Sequence, residues 1–187
     1  MEIRVSNEEK IMIDTICNRL INFDYDFNDI DYDKLVVLAS GHLMIPTLFV
    51  LFEKYNVLNK IPQKLKVYLG EIYKLNEERN KVIIEESNEI SNLFNDNDIK
   101  FQFIKGVLNL RFNMYEKIGE RMIGDIDLII EKTKMNNAID LLKKNNYSNK
   151  YEYKCWNTKH PPRFTNKKKL MAIEPHSRIF NKKEIYF

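Results

Sequence analysis

The stretch Arg121-Met122-Ile123-Gly124-Asp125-Ile126-Asp127-Leu128-Ile129-Ile130 is a hydrophobic run that carries two carboxylates two residues apart. In a β-strand the side chains at i and i+2 share a face, which puts Asp125 and Asp127 on one side and Ile126, Leu128 and Ile130 on the other. Two like charges held together on an apolar strand repel and lose hydration unless a cation sits between them. A hard divalent ion such as Mg²⁺, with substrate phosphates completing its shell, is the usual solution. The alternative is one carboxylate that caps the strand and another that faces water. A bare Asp-x-Asp leaves both readings open.

The sequence around this strand sets the fold class. Ile99–Ile104 is strand-like and runs into Lys105-Gly106, after which Gly106–Tyr115 has helical spacing. Downstream, Thr133 caps a helix through Lys144 that Asn145-Asn146 closes. Tyr147–Trp156 and Arg163–Ile179 read as further strands, the second as a hairpin turning at Asn166-Lys167-Lys168-Lys169. Upstream of the punctuation Asn95-Asp96-Asn97-Asp98 the pattern is helical. The expectation is an α+β chain: an all-helical domain over residues 1–95, then a small mixed β-sheet with helices packed on it over residues 96–187.

Within the helical part, Ser6 and Glu9 have the spacing of a capping box, and Ile11, Ile13, Ile16, Cys17 and Leu20 follow at roughly helical intervals. The acidic, aromatic connector Asp24–Asp33 lacks the glycine and terminal glutamate of a calcium loop and reads as a solvated linker. Lys34–Leu58 reads as a helix pair broken between Gly41 and Pro46. Its charge-free run Leu35–Phe52 has about the length a bilayer requires, but Ser40-Gly41-His42 and Pro46 interrupt it. Buried helices are expected there, with no membrane association and with His42 in the core. Pro62 then opens a helix to about Asn95, with Leu65, Leu69, Ile72, Leu75, Val82, Ile83, Ile90 and Leu93 on its apolar stripe.

A chain of 187 residues with 44% hydrophobic and 30% charged content can bury a sizeable core and is not of the disordered class. Cys17 and Cys155 lie far apart and outside any CxxC spacing, which argues against a disulfide or zinc framework and fits a reducing cytoplasm. The first ten residues have no basic-then-apolar pattern, so no secretory leader is expected. Charge is unevenly spread: residues 99–187 carry 19 Lys or Arg against 9 Asp or Glu, and residues 1–98 carry 11 against 18. A basic half suits a polyanion or nucleotide, and an acidic half suits a protein partner or the docking of the two halves.

Three features gather around the aspartates. Lys105-Gly106 ends a strand and opens a helix, where free N–H groups and a lysine charge favour phosphate. Arg121 stands four residues before Asp125 and six before Asp127, available to a phosphate or to a carboxylate. Ala172-Ile173-Glu174-Pro175-His176 puts Glu174 and His176 on one face of another strand. If that strand neighbours the Asp-x-Asp strand, Glu174 becomes a third carboxylate for one metal centre. Each residue also has a plainer reading. Lys105 can be an ordinary strand-end lysine, Arg121 a partner of Glu116 or Glu120, and His160 and His176 satisfied sheet histidines. Trp156, Tyr151 and Tyr153 can stack a base or simply line a sheet. The lysines at 167–169 can touch RNA phosphate or tip a hairpin.

Taken together these motifs resemble the polymerase-β-like nucleotidyltransferases, and more narrowly the bacterial and archaeal family of uncharacterised nucleotidyltransferases. The resemblance rests on Lys105-Gly106, on Arg121 through Ile130, on Leu141-Leu142 to Tyr147, on His160 and on Glu174-Pro175-His176. It extends to Ala39-Ser40-Gly41-His42, Ile45-Pro46-Thr47-Leu48 and Arg79-Asn80 in the helical part. Gly106 is followed by Val107 where the superfamily more often has Gly-Gly or Gly-Ser. The layout is also similar to nucleotidyltransferase toxins of abortive-infection systems, whose acceptor class is tRNA.

The resemblance implies transfer of a nucleoside monophosphate from an NTP such as ATP to an acceptor hydroxyl of tRNA, protein or a small molecule. It implies Mg²⁺ or Mn²⁺ held by Asp125, Asp127 and Glu174, and nucleotide or phosphate contacts from Lys105, Gly106, Arg121 and His176. Glu174 reads as metal ligand or as general base for the attacking hydroxyl. A rival expectation is a catalytically inactive nucleotide- or partner-binding module in regulation or phage defence.

Overall fold

The computed structural model describes residues 5–17, 25–149 and 161–179. These residues form an α+β fold of six α-helices and a three-stranded mixed sheet, the class expected from the sequence. The chain divides into two compact units, one of residues 1–79 with 115–122 and one of residues 80–114 with 123–187.

In the first unit Ser6 and Glu9 form the expected capping box, which starts α1 (Asn7–Ile16). The acidic connector also caps. Asp26 accepts from the Asn28 N–H at 2.9 Å to start a 3-10 turn, and Asp31 accepts from the Lys34 N–H at 3.0 Å to start α2 (Tyr32–Gly41). These carboxylates therefore satisfy helix-terminal donors. After a break, Pro46 sits in the first turn of α3 (Ile45–Lys54), where its missing N–H costs nothing. Leu35, Ala39, Leu48 and Phe52 are fully buried in a core with Ile11, Phe27, Leu65 and Leu69. The charge-free run is thus two short helices, and among the described residues no helix is long and apolar enough to cross a membrane. His42 departs from expectation. The α2 helix stops at Gly41, so His42 caps it through its main-chain N–H and its side chain is exposed, not in the core.

The long helix α4 (Gln63–Asn95) contributes residues to both units. Its buried positions recur every three or four residues, as a helix with one covered stripe requires. The stripe is not uniformly apolar, however. Leu75 and Val82 face solvent, whereas Asn76, Asn80, Glu86 and Ser87 are buried. The exchange has a physical cause. In the first unit Asn76 Nδ2 donates to the carbonyls of Gly119 and Arg121 at 2.8 and 3.0 Å, and so captures the returning segment 115–122. Gly119 has to be glycine there, because a Cβ would come within 2.8 Å of the Tyr73 ring and 3.1 Å of the Glu77 main chain. In the second unit Glu86 accepts from the N–H groups of Leu170 and Met171 at 2.7 and 2.9 Å, just ahead of the last strand.

That unit holds the sheet. β1 (Phe101–Phe103) leads into α5 (Lys105–Arg111); β2 (Ile126–Ile130) is followed by a 3-10 turn and α6 (Met135–Lys144); β3 (Ile173–His176) comes last. β2 is central. It pairs antiparallel with β1 (Phe103 opposite Leu128) and parallel with β3 (Asp127 opposite Glu174, Ile129 opposite His176). Pro175 fits because β3 is an edge strand of the sheet whose outer side carries, among the described residues, only the single bridge at Ile173. The expected hairpin is present in reduced form, as the single bridge Phe164–Ile173 around a turn closed by Lys169 N–H to the Asn166 carbonyl, and a second bridge joins Thr165 to Ser148 upstream. Thr133 does not cap α6 but donates to Glu131, and Lys134 takes the cap position. Ile126, Leu128, Ile130, Phe164 and Ile173 are at most 1% exposed and form the heart of this unit. Trp156, Tyr151, Tyr153 and His160 lie outside the described residues.

Glu86 is a buried carboxylate whose two oxygens each hold a main-chain N–H, so its removal strands two donors. Glu86→Ala should cost about 3 kcal/mol in urea or thermal unfolding, while truncation of the exposed neighbour Glu85 should change stability little.

Candidate functional site

Asp127 is the hub of the second unit's polar cluster. It lies in the middle of the central strand and is 3% exposed, so its charge needs partners. Two are in place on one oxygen. His176 Nε2 donates to Asp127 Oδ1 at 2.7 Å, and the Lys105 ammonium bonds the same Oδ1. Glu174 stands beside them, its Oε2 3.5 Å from His176 Nε2 and 3.9 Å from Lys105 Nζ. The sheet produces this arrangement directly. Parallel pairing sets Asp127 opposite Glu174, and His176 follows two residues on, on the same face. Lys105 arrives from the other side. The Ile104 N–H donates to the Asp127 main-chain carbonyl at 3.0 Å, and the chain turns immediately after it.

Asp125 is placed differently from the expectation of one strand bearing both aspartates. β2 begins at Ile126, so Asp125 is the half-buried residue just before it, and its side chain reaches Asp127 by a hydrogen bond. The two carboxylates are driven apart in acidity. Asp125 is held above the usual carboxylate range by burial, then by the charges of Asp127 and Glu174 and by the bond to Asp127. Burial also pushes Asp127 upward, but the hydrogen bonds from His176 and Lys105 outweigh it and hold Asp127 below the usual range. Lys105 loses some basicity to burial and gains more from Asp127, Glu174 and Asp125, so it stays charged.

The remaining expected residues are readily placed. Gly106 opens α5, and the Cβ it lacks would stand 3.2 Å from the Ile123 side chain, so its small size serves close packing. The left-handed residue at this turn is Lys105 itself, at φ 57°. Arg121 is exposed and belongs to the first unit, where its carbonyl is held by Asn76. Of the lysine run, Lys167 and Lys168 are exposed and Lys169 pairs with Glu89. Sequence reading missed two buried polar residues that hold main-chain groups, Asn76 in the first unit and Glu86 in the second. The available signal was a polar residue at stripe spacing in an otherwise amphipathic helix.

The donor set fits a divalent cation. Asp127, Glu174 and His176 each present a ligand atom within 4.8 Å of the others, and carboxylate oxygens with one imidazole suit Mn²⁺ as well as Mg²⁺. The Lys105 ammonium, lodged against Asp127 and near Glu174, shows that the site accommodates positive charge.

A mixed three-stranded sheet whose central and edge strands bring acidic residues together is the arrangement the motifs led one to expect of a nucleotidyltransferase. The chain belongs to the uncharacterised nucleotidyltransferase family, whose model matches residues 28–187. Comparison with curated proteins and with solved structures finds no match.

The opposed shifts of the two aspartates give a signed prediction for the metal-free protein. A carboxyl whose folded pKa exceeds its unfolded value opposes folding as pH rises through that value, and does not in acid. Asp125→Asn should therefore stabilise the chelator-treated protein near pH 8, with the gain vanishing toward about pH 4, near the unfolded carboxyl pKa. Asp127→Asn should do the reverse, since the stability from its depressed pKa is present above the unfolded value and lost in acid. Thermal melts across that range check both.

Proposed function

We propose that this chain transfers a nucleoside monophosphate from a nucleoside triphosphate to an acceptor hydroxyl and releases pyrophosphate. Asp127, Glu174 and Asp125 would hold Mg²⁺ or Mn²⁺, with His176 beside them as the partner of Asp127. The observation that carries this reading is the Asp127–Glu174–His176 cluster, in a chain of a nucleotidyltransferase family. A divalent ion bound there would draw charge from the phosphates and lower the pKa of the acceptor hydroxyl.

The chain's own groups supply the rest. The acceptor oxygen attacks the α-phosphorus, the bond to the β-phosphate oxygen breaks, and the hydroxyl proton passes to Glu174, the least buried of the three clustered side chains. Lys105, half exposed beside the carboxylates, offers its charge to the triphosphate, with the main chain at Gly106 as a further phosphate contact. His176 fixes the orientation of Asp127 through its 2.7 Å hydrogen bond. The excess of Lys and Arg over residues 99–187 supports a polyanionic acceptor such as tRNA ahead of protein or a small molecule.

The test is transfer of label from each α-³²P nucleoside triphosphate, with Mg²⁺ or Mn²⁺, to tRNA, to total protein and to the protein itself. Label should enter one fraction and depend on the metal. Asp127→Asn and Glu174→Gln should each lower the rate by about a thousandfold, the size expected when several kcal/mol of charge stabilisation are lost. Metal-independent nucleotide binding with no transfer to any fraction would instead describe a binding module.

A further inference from the structure

Six non-glycine residues among the described ones have a left-handed backbone: Leu43, Asn56, Asp98, Lys105, Asn113 and Asn146. Five of them close a helix. After each, the next N–H reaches back to a carbonyl of the last turn, as in Met44 to Ala39 and Val57 to Phe52, both at 2.7 Å. Lys105 closes nothing. It joins β1 to α5, beside a glycine that would adopt this conformation freely and that is not itself left-handed. The strained residue is thus the one whose ammonium sits on Asp127 Oδ1 and 3.9 Å from Glu174 Oε2. The side chain is 51% exposed, while that of Asp127 is 4% exposed, so this cation reaches the carboxylates on a flexible stem that borders solvent.

Building on the metal-site reading above, we infer that Lys105 is an exchangeable counter-cation: its ammonium and the divalent ion compete for Asp127 and Glu174, and metal binding releases the ammonium to the triphosphate. Asp127 Oδ1 already receives Lys105 and His176. A divalent ion on that oxygen would sit at roughly 2.0–2.2 Å, which leaves an ammonium in the same pocket both crowded and repelled. Lysine suits the exchange, being a compact charge with no fixed fork geometry and four rotatable carbons. The consequence is a coupling. Metal alone binds against the cost of displacing Lys105, and a triphosphate that accepts the freed ammonium removes that cost, so each ligand tightens the other.

The experiment is Mn²⁺ binding to the full chain, read from the EPR signal of free Mn²⁺, with and without a non-hydrolysable nucleoside triphosphate analogue. Wild type is compared with Lys105→Met, Lys105→Gly and Asp127→Asn. The glycine variant keeps the left-handed backbone without strain and so covers poor folding of the methionine variant. Without nucleotide, both variants at position 105 should bind Mn²⁺ about tenfold more tightly than wild type, and the analogue should tighten Mn²⁺ less in them, within the usual range of coupling factors. Unchanged or weaker Mn²⁺ binding in both, with binding still lost in Asp127→Asn, overturns the exchange and leaves the metal site standing. Absence of Mn²⁺ binding in wild type and in both position-105 variants removes the metal site and the exchange together.

Discussion

A carboxylate in the middle of a buried strand is the constraint on which the rest of this site depends. Asp127 cannot be solvated where it lies, and an isolated charge there would cost several kcal/mol. It must therefore be met by donors, and the fold brings one from each flank. His176 comes from the parallel edge strand and Lys105 from the end of the antiparallel one. Because β2 is central, both neighbours are fixed by main-chain pairing before any side chain is considered. Slipping β3 by one residue would turn Glu174 and His176 to the opposite face and leave Asp127 with Lys105 alone.

The register is in turn secured from outside the sheet. β3 has four residues, and its hairpin partner contributes a single bridge, so ladder bonds alone hold it weakly. Glu86 makes up the difference by binding the two N–H groups immediately before the strand. Arg111 ties α5 to the same stretch of α4, with bonds of 2.6 Å to Ser87 and to Asn88 and its guanidinium over the Phe103 ring. Polar groups on a long helix thus anchor both the strand that carries Glu174 and the helix that follows Lys105.

Much of this was legible in the sequence, for reasons of period. A two-residue repeat put Glu174 with His176 on a common face, and the passage from a strand-like run to helical spacing located the turn at Lys105; the same repeat put Asp125 on the strand with Asp127, whereas β2 begins one residue after Asp125. Strand order was not legible, since nothing local in Ile173–His176 says that it lies beside Ile126–Ile130 across a long connection. Counting apolar residues also misreads polar ones that face inward. Leu75 and Val82 were assigned to the buried stripe because they are hydrophobic, while Asn76 and Glu86 occupy it because they hold main-chain groups. His42 reads as core because its neighbours are apolar, yet it lies in the break just past α2, where its side chain is exposed.

The acidity of the cluster shows how three carboxylates can be kept together before any ligand arrives. Asp127 is pushed toward the ionised form and Asp125 toward the protonated one, the separation of roles that adjacent carboxyls adopt when both cannot ionise cheaply. Lys105 supplies one positive charge against Asp127 and near Glu174, which offsets part of the repulsion among the carboxylates. A divalent cation in the same place would supply a larger positive charge in a single ion, so the carboxylates that an ammonium holds together in the free protein could be held together by metal in its stead.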